Sequence, residues 1–514
     1  MSAVKETFGN PFSSQFMRMR QAGPFHLVIF GASGDLTQRK LIPALFNLFL
    51  DGYAADQFSI VGFARREKSD EQFRAEMGAS VRQYSRRQPE SEEQLQQFLA
   101  HLHYVSGSFE NEAGYYHLKD RLKALCLSYQ MPSNALFYLA TPPDAFPDII
   151  RNLHRGGLVS PVFDVDGWTR IVVEKPFGRD TATAWELNGT IHAAFRERQV
   201  YRIDHYLGKE TVQNILVFRL GNSIFEPLWN RRYIDHVQIT VAESLGVGSR
   251  AGYFEQAGII RDMIQSHILQ VFTLIAMEPP ATFDATAIRD EKVKVLKSLH
   301  LPSPEQVPFQ VVRGQYSPGS LGGEPVPGYL QEAGIAPNSS TETYVALKLT
   351  IDNWRWSGVP FYIRTGKRLP KRVTDVAIVF KEPPHMIFDE AGRGSRHTNL
   401  LRLRLQPQEG ISLSFGAKAP GPTVKVAPVH MDFMYASSFG ASSTEAYERL
   451  ILDALTGDST LFAREDEVEL SWSLVDRIVA NWQSTKLHSY SAGGWGPEAA
   501  DDLLKRDARD WLRL

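Results

Sequence analysis

The stretch Phe25-His26-Leu27-Val28-Ile29-Phe30, followed by Gly31-Ala32-Ser33-Gly34-Asp35-Leu36-Thr37, decides how the first third of the chain folds. A short, continuous apolar run suits a parallel strand buried on both faces. Beyond the glycines, Leu41, Leu45, Leu48 and Phe49 recur at helical spacing. Between such a strand and helix, a backbone without Cβ lets a pyrophosphate approach the N–H groups of the helix N-terminus. The spacing is GxxG, with Thr37 where a third glycine would fall. A tight structural turn would read the same. Working outward, strands are expected at 58–63, 135–140 and 170–174, with a helix-rich stretch before 135. That alternation predicts a doubly wound sheet. Arg65 and Arg66 stand after the second strand, where NAD-binding folds usually place an acid for the ribose hydroxyls. Guanidinium groups suit a 2′-phosphate, which favours NADP over NAD. Glu67 leaves dual use open.

The pattern changes after about residue 203. Apolar/polar alternation at 236–242, 344–351, 376–380, 400–405 and 411–415 predicts an antiparallel sheet with helices on one face. Its other face would be partly exposed and suited to a subunit interface. The Pro/Gly-rich stretch 315–340 reads as a long loop. At 514 residues the chain exceeds one ordinary core. Its 56 basic and 58 acidic side chains nearly balance, which argues against nucleic acid or an acidic membrane as partner. Cys126 is alone, so no intramolecular disulfide forms. No signal-peptide core and no run of transmembrane length is seen, so a cytoplasmic enzyme is expected. No metal site is expected.

Three segments carry chemistry. Arg202-Ile203-Asp204-His205-Tyr206-Leu207-Gly208-Lys209-Glu210 packs a carboxylate, an imidazole, a phenol and an ammonium just before an apolar-periodic run. His205 and Lys209 could meet a phosphate while Asp204 orients another imidazole; a charged helix start on a solvated face is the plain alternative. Glu174-Lys175-Pro176-Phe177-Gly178 puts a lysine at a strand end. Arg261-Asp262-Met263-Ile264-Gln265-Ser266-His267 reads as helical. On an α-helix, residues five apart lie about 140° around the axis, so Asp262 and His267 are not expected side by side.

Together these segments resemble the glucose-6-phosphate dehydrogenase family, in its motifs RIDHYLGKE, EKPFG and RDMxQNHxLQ, with Ser266 in place of the usual Asn. Similarity extends through 227–239 and 446–469. The resemblance implies a Rossmann-like dinucleotide-binding domain over 1–203. It also implies a substrate-binding and oligomerisation domain with a large, mainly antiparallel sheet over 204–514. The implied reaction is oxidation of glucose 6-phosphate at C1 to the 1,5-lactone with hydride transfer to NADP, the first oxidative step of the pentose phosphate pathway. His267 would be the general base and Asp204 its partner. His205, Tyr206 and Lys209 would bind the phosphate, Lys175, Glu243 and Asp262 the sugar hydroxyls. Lys367 and Arg372 would reach the phosphate region. Gly31, Ala32, Ser33, Gly34, Asp35, Leu36, Arg65, Tyr138 and Lys175 would contact the cofactor. Val373 and Ala377 stand where some family members are basic and bind a second, structural NADP, so that site is not expected. A homodimer or homotetramer follows by resemblance. The alternatives are a related dehydrogenase of another sugar, and an NADP sensor without catalysis.

Overall fold

The computed structural model describes residues 21–160, 167–385, 387–388, 398–439, 445–481 and 485–514. The chain forms two compact units. The first comprises 1–174, 190–201 and 447–459; the second comprises 175–189, 202–446 and 460–514.

In the first unit, β1 (Phe25–Phe30), β2 (Phe58–Ala64), β3 (Leu102–Ser106), β4 (Ala135–Leu139) and β5 (Thr169–Glu174) lie parallel in the order β5-β4-β1-β2-β3. All residues of β1, β2 and β4 are buried, as central strands covered on both faces require. Helices between the strands start on side chains that accept orphan N–H groups: Ser69 for Asp70–Tyr84, Ser91 for Glu92–Ala100 and Asn111 for Glu112–Tyr129. The distant segment 447–459 joins this unit through specific bonds. Glu448 accepts from Asn47 (2.8 Å) and Arg86 (2.8 and 2.9 Å), and Arg170 donates to the carbonyls of Ala454 and Leu455.

β6 (Val200–Ile203) leads out of the first unit. The second unit is built on a nine-stranded sheet. Its strands are β7 (Ile234–Ala242), β8 (Val311–Ser317), β11 (Tyr344–Leu349), β12 (Phe361–Gly366), β13 (Val373–Phe380), β14 (Leu400–Gln406), β15 (Gly410–Lys418), β16 (Val426–Met434) and β18 (Leu487–Ser491). They run in the order β16-β15-β14-β13-β7-β12-β11-β8-β18. Only β7–β12 and β8–β18 pair in parallel. The short β17 (Phe462–Ala463) pairs with Ile203 and Arg202.

The stretch 315–340 departs from the loop expected of it. Residues 315–317 complete β8, and β9 (Gly319–Leu321) turns back on β10 (Glu324–Val326) as an antiparallel hairpin. Gly322 and Gly323 both have positive φ (60° and 89°) at its tip. Glycine density here marks a two-residue hairpin turn rather than missing structure.

Alternation places Leu401, Leu403 and Leu405 in the core, with Arg402 and Arg404 on the other face. That second face is partly covered by the C-terminal tail. Arg364 lies over the rings of Trp495 and Trp511 (5.0 and 4.4 Å), and Gln238 bonds Asp510 and Leu512. The residues after β5 are held within the second unit. Trp472 Nε1 donates to Phe177 O (2.9 Å), and Asp476 accepts from Thr181 N and Oγ1.

Candidate active site

In the first unit, β1 ends in a cleft of about 560 Å³ lined by Gly31, Ser33 and Gly34, by Ala64, Arg65 and Arg66, and by Phe109 and 140–142. Gly31 has φ +86°, and a Cβ there would run into the Ala140 carbonyl. The turn therefore needs glycine for both conformation and space. Thr37 is wholly buried, and its hydroxyl donates to Gly31 O (3.2 Å), closing the turn that a third glycine would otherwise leave open. Asp35 is exposed and pairs with Arg39, Leu36 is half-buried, and Ala32 is buried beneath the turn. Arg65 and Arg66 are exposed at the end of β2, so two guanidinium groups face the cleft. A glycine turn with no room for Cβ, beside two exposed arginines, fits a dinucleotide carrying an extra phosphate.

Tyr138 does not line this cleft. It is wholly buried in β4, and its hydroxyl donates to Glu174 Oε1 (2.6 Å). All five residues of β4 are buried, and the turn beyond its end puts Ala140, Thr141 and Pro142 on the cleft wall. Among the described residues the Thr141 hydroxyl, buried beside the cleft, has no hydrogen-bond partner. Phe109, in the turn after β3, had no signal in the sequence.

In the second unit, a wired cluster forms around His267. Asp204 follows β6 directly, and its Oδ1 accepts from Tyr206 N (3.0 Å), a local turn that fixes the carboxylate. The same oxygen lies 2.5 Å from His267 Nδ1. Lys175 Nζ lies 2.7 Å from His267 Nε2 and reaches Asp262 O (3.1 Å) and Oδ1 (3.4 Å). A carboxylate only accepts and an ammonium only donates, so this arrangement requires neutral His267 with its proton on Nδ1. Nε2 then carries the lone pair. The Tyr206 ring stacks on His267 at 4.3 Å, and His205 meets it edge-on at 4.6 Å.

Asp262 and His267 both reach Lys175, which α-helical geometry would not allow. The helix Ile260–Ile268 is wound as a π-helix, with Leu269 N bonded to Ile264 O. An i→i+5 repeat stacks residues five apart on one side. No periodicity in the sequence distinguishes that winding from an α-helix.

Electrostatics follow the packing. Burial lowers the pKa of His267, and the Asp204 charge partly opposes it. Burial also lowers His205 strongly, with His267 adding to the effect. For Asp204 burial acts upward, but the charge and hydrogen bond of His267, with His205 and Lys175, outweigh it and hold the carboxyl below its ordinary range. Asp262 is likewise held low against burial by Lys175, Arg250 and Lys367. Burial and the nearby Arg372 bring Lys209 down to about 8, and burial lifts Tyr206 to about 12.

Lys209 Nζ sits 3.5 Å over the Tyr206 ring and donates to Gln406 Oε1 (2.9 Å), while Arg372 is exposed. Lys367 is bonded to Glu243 (2.6 Å). Gln406, which also donates to Thr374 Oγ1 (2.8 Å), had no signature in the sequence. Arg250 and Tyr253, which flank Asp262 at 3.8 and 3.5 Å, had none either.

A glycine-turn nucleotide cleft with paired arginines and a prewired imidazole base define the class: a nicotinamide-dependent dehydrogenase. Residues 28–214 match the NAD binding domain of glucose-6-phosphate dehydrogenase, and residues 216–512 match its C-terminal domain. The chain is 47% identical to glucose-6-phosphate 1-dehydrogenase of Chlamydia pneumoniae over 100% of both chains. It is 49% identical to that of Aggregatibacter actinomycetemcomitans over 95% of this chain and 97% of the relative. A solved glucose-6-phosphate dehydrogenase in complex with its substrate glucose-6-phosphate superposes with TM-score 0.87 at 34% identity, covering 97% of this chain and 100% of that one. The chain belongs to the glucose-6-phosphate dehydrogenase family.

Proposed function

We propose that this chain oxidises glucose 6-phosphate at C1 to 6-phosphoglucono-1,5-lactone, with NADP as the hydride acceptor, the first oxidative step of the pentose phosphate pathway. The observation that carries this is the Asp204–His267–Lys175 chain within a member of this family. His267 Nε2 takes the proton of the C1 hydroxyl. Asp204 holds Nδ1–H, keeps the tautomer and stabilises the imidazolium that forms, as the acid does in hydrolase triads. Lys175 and Asp262 orient the hydroxyls around C1, and Glu243 with Lys367 hold the ring further along. His205, Tyr206 and Lys209 receive the phosphate with Arg372. Lys209 and Arg372 repel one another in the absence of an anion, and a phosphate relieves that repulsion. NADP, when bound, supplies the nicotinamide that accepts hydride. Arg65 holds its 2′-phosphate, and Gly31, Ala32, Ser33, Gly34, Asp35 and Leu36 form the turn against its pyrophosphate.

Residues 1–203 serve mainly the cofactor and 204–514 the substrate and subunit assembly, with Lys175 acting in the second group. The protein works in the cytoplasm as a homodimer or homotetramer joined through the exposed end of the large sheet, where β16 presents Val429 and Met431 to solvent. No helix among the described residues is long and apolar enough to cross a membrane. The test is reduced-nicotinamide formation with glucose 6-phosphate against glucose, and NADP against NAD. Turnover confined to the phosphorylated sugar is expected. Equal efficiency with plain glucose would transfer the assignment to another sugar dehydrogenase.

A further inference from the structure

The π-wound helix that carries Asp262 and His267 has an unusual start. Directly before it, Gly258 adopts φ +65° and ψ 174°, breaking the preceding helix Ala251–Ile259. An i→i+5 repeat leaves the first five N–H groups of a helix without internal acceptors, one more than an α-helix leaves. Two N–H groups at this junction are taken by one residue far away in sequence. Glu342, just before β11, accepts from Ile259 N through its carbonyl (3.1 Å) and from Ile260 N through Oε1 (3.3 Å). A Cβ on Gly258 would collide with that carboxyl group. Glu342 is only 4% exposed, and burial raises its pKa. Among the described residues it makes no ion pair. Keeping a carboxyl group there is costly unless its bonds are needed.

The next helix, Leu269–Ala276, is buried along its whole length and is held by packing. What the Glu342 bonds fix is the axial position and rotation of Ile260–Ile268. The neighbouring Thr343 accepts Lys367 N through its carbonyl (2.9 Å), so the same two residues also set the backbone that presents Lys367.

We infer that Glu342 is a positioning residue for the reaction: by accepting from Ile259 and Ile260 beside Gly258, it sets the register at which His267 meets Asp204 and Lys175. This rests on the reading of His267 as the base.

The test uses the full chain with Glu342→Ala, which removes the side-chain acceptor, and Glu342→Gln, which keeps an acceptor oxygen in the same shape. For both, kcat, the two KM values, the pH profile of kcat/KM and the melting temperature are measured. Misplacing the base predicts a kcat loss on the order of tenfold to a hundredfold in Glu342→Ala. KM for NADP stays near that of the parent. The acid limb of kcat/KM moves, because burial, Asp204 and Lys175 together set the His267 pKa and all depend on where the ring sits. Glu342→Gln recovers most of kcat. Parental kcat and pH profile in Glu342→Ala would overturn the inference, as would a Gln variant as impaired as Ala while both melt like the parent. Should Glu342→Ala not fold, Glu342→Asp, which draws the acceptor back by one methylene, decides by the same split between kcat and KM. A parent without glucose 6-phosphate turnover would instead overturn the functional reading, and this inference with it.

Discussion

The nucleotide cleft and the His267 cluster solve recognition in opposite ways. The cleft is open and made largely of backbone: a glycine turn, a helix start and two exposed arginines that wait for a ligand's charge. The His267 cluster is buried and bonded within itself, with Asp204, Lys175 and Asp262 holding their partners. A site that binds a diffusing anion gains from free donors. A site that moves a proton gains from groups whose orientation and pKa are fixed beforehand. Neither is local in sequence: the cleft draws on residues from Gly31 to Pro142, and Lys175 and His267 are 92 residues apart.

The contrast can be broken most sharply at the base. His267→Asn is expected to lower kcat by about 10²–10⁴-fold, the usual share of a general base, while NADP affinity measured by fluorescence titration stays unchanged. A parallel loss of NADP affinity would mean the two sites are not separately built.

Asp204→Asn comes next, with a kcat loss of roughly a hundredfold expected from the weakened tautomer and imidazolium support. Its pH profile carries a sign. Burial already places the His267 pKa below 6.5, and Asp204 acts upward on it. A base works when deprotonated, so kcat/KM in the parent falls only below pH 6.5, and in Asp204→Asn the fall moves lower still. A limb shifting upward would contradict the wiring.

At the cleft, Arg65→Ala should raise KM for NADP roughly tenfold, as loss of a charge-assisted hydrogen bond does, and leave KM for NAD nearly unchanged. Equal effects on both cofactors would remove Arg65 from the 2′-phosphate. The smallest effect is expected at Tyr138→Phe, which deletes the buried bond to Glu174 and costs about 1 kcal/mol in denaturant melts. A large rise in KM for NADP there would restore Tyr138 to the cofactor site.

The same contrast explains what the sequence disclosed. The strand–glycine–helix unit was legible because one local pattern dictates both its conformation and its use. The second-domain strands were legible because alternation reports burial, as at Leu401, Leu403 and Leu405. The hairpin at 319–326 was hidden because paired glycines suit both a turn and a loop. Motif resemblance named Asp204, Lys175 and His267, but their contacts arise from the π winding of Ile260–Ile268, which leaves no compositional trace. Gln406 was not found because an amide outside a pattern carries no signal until tertiary neighbours surround it.

The bond from Lys175 to His267 Nε2 also bears on the enzyme at rest. The lone pair that accepts the proton is covered by the Lys175 ammonium, so an incoming hydroxyl reaches the base by exchanging with one tethered donor.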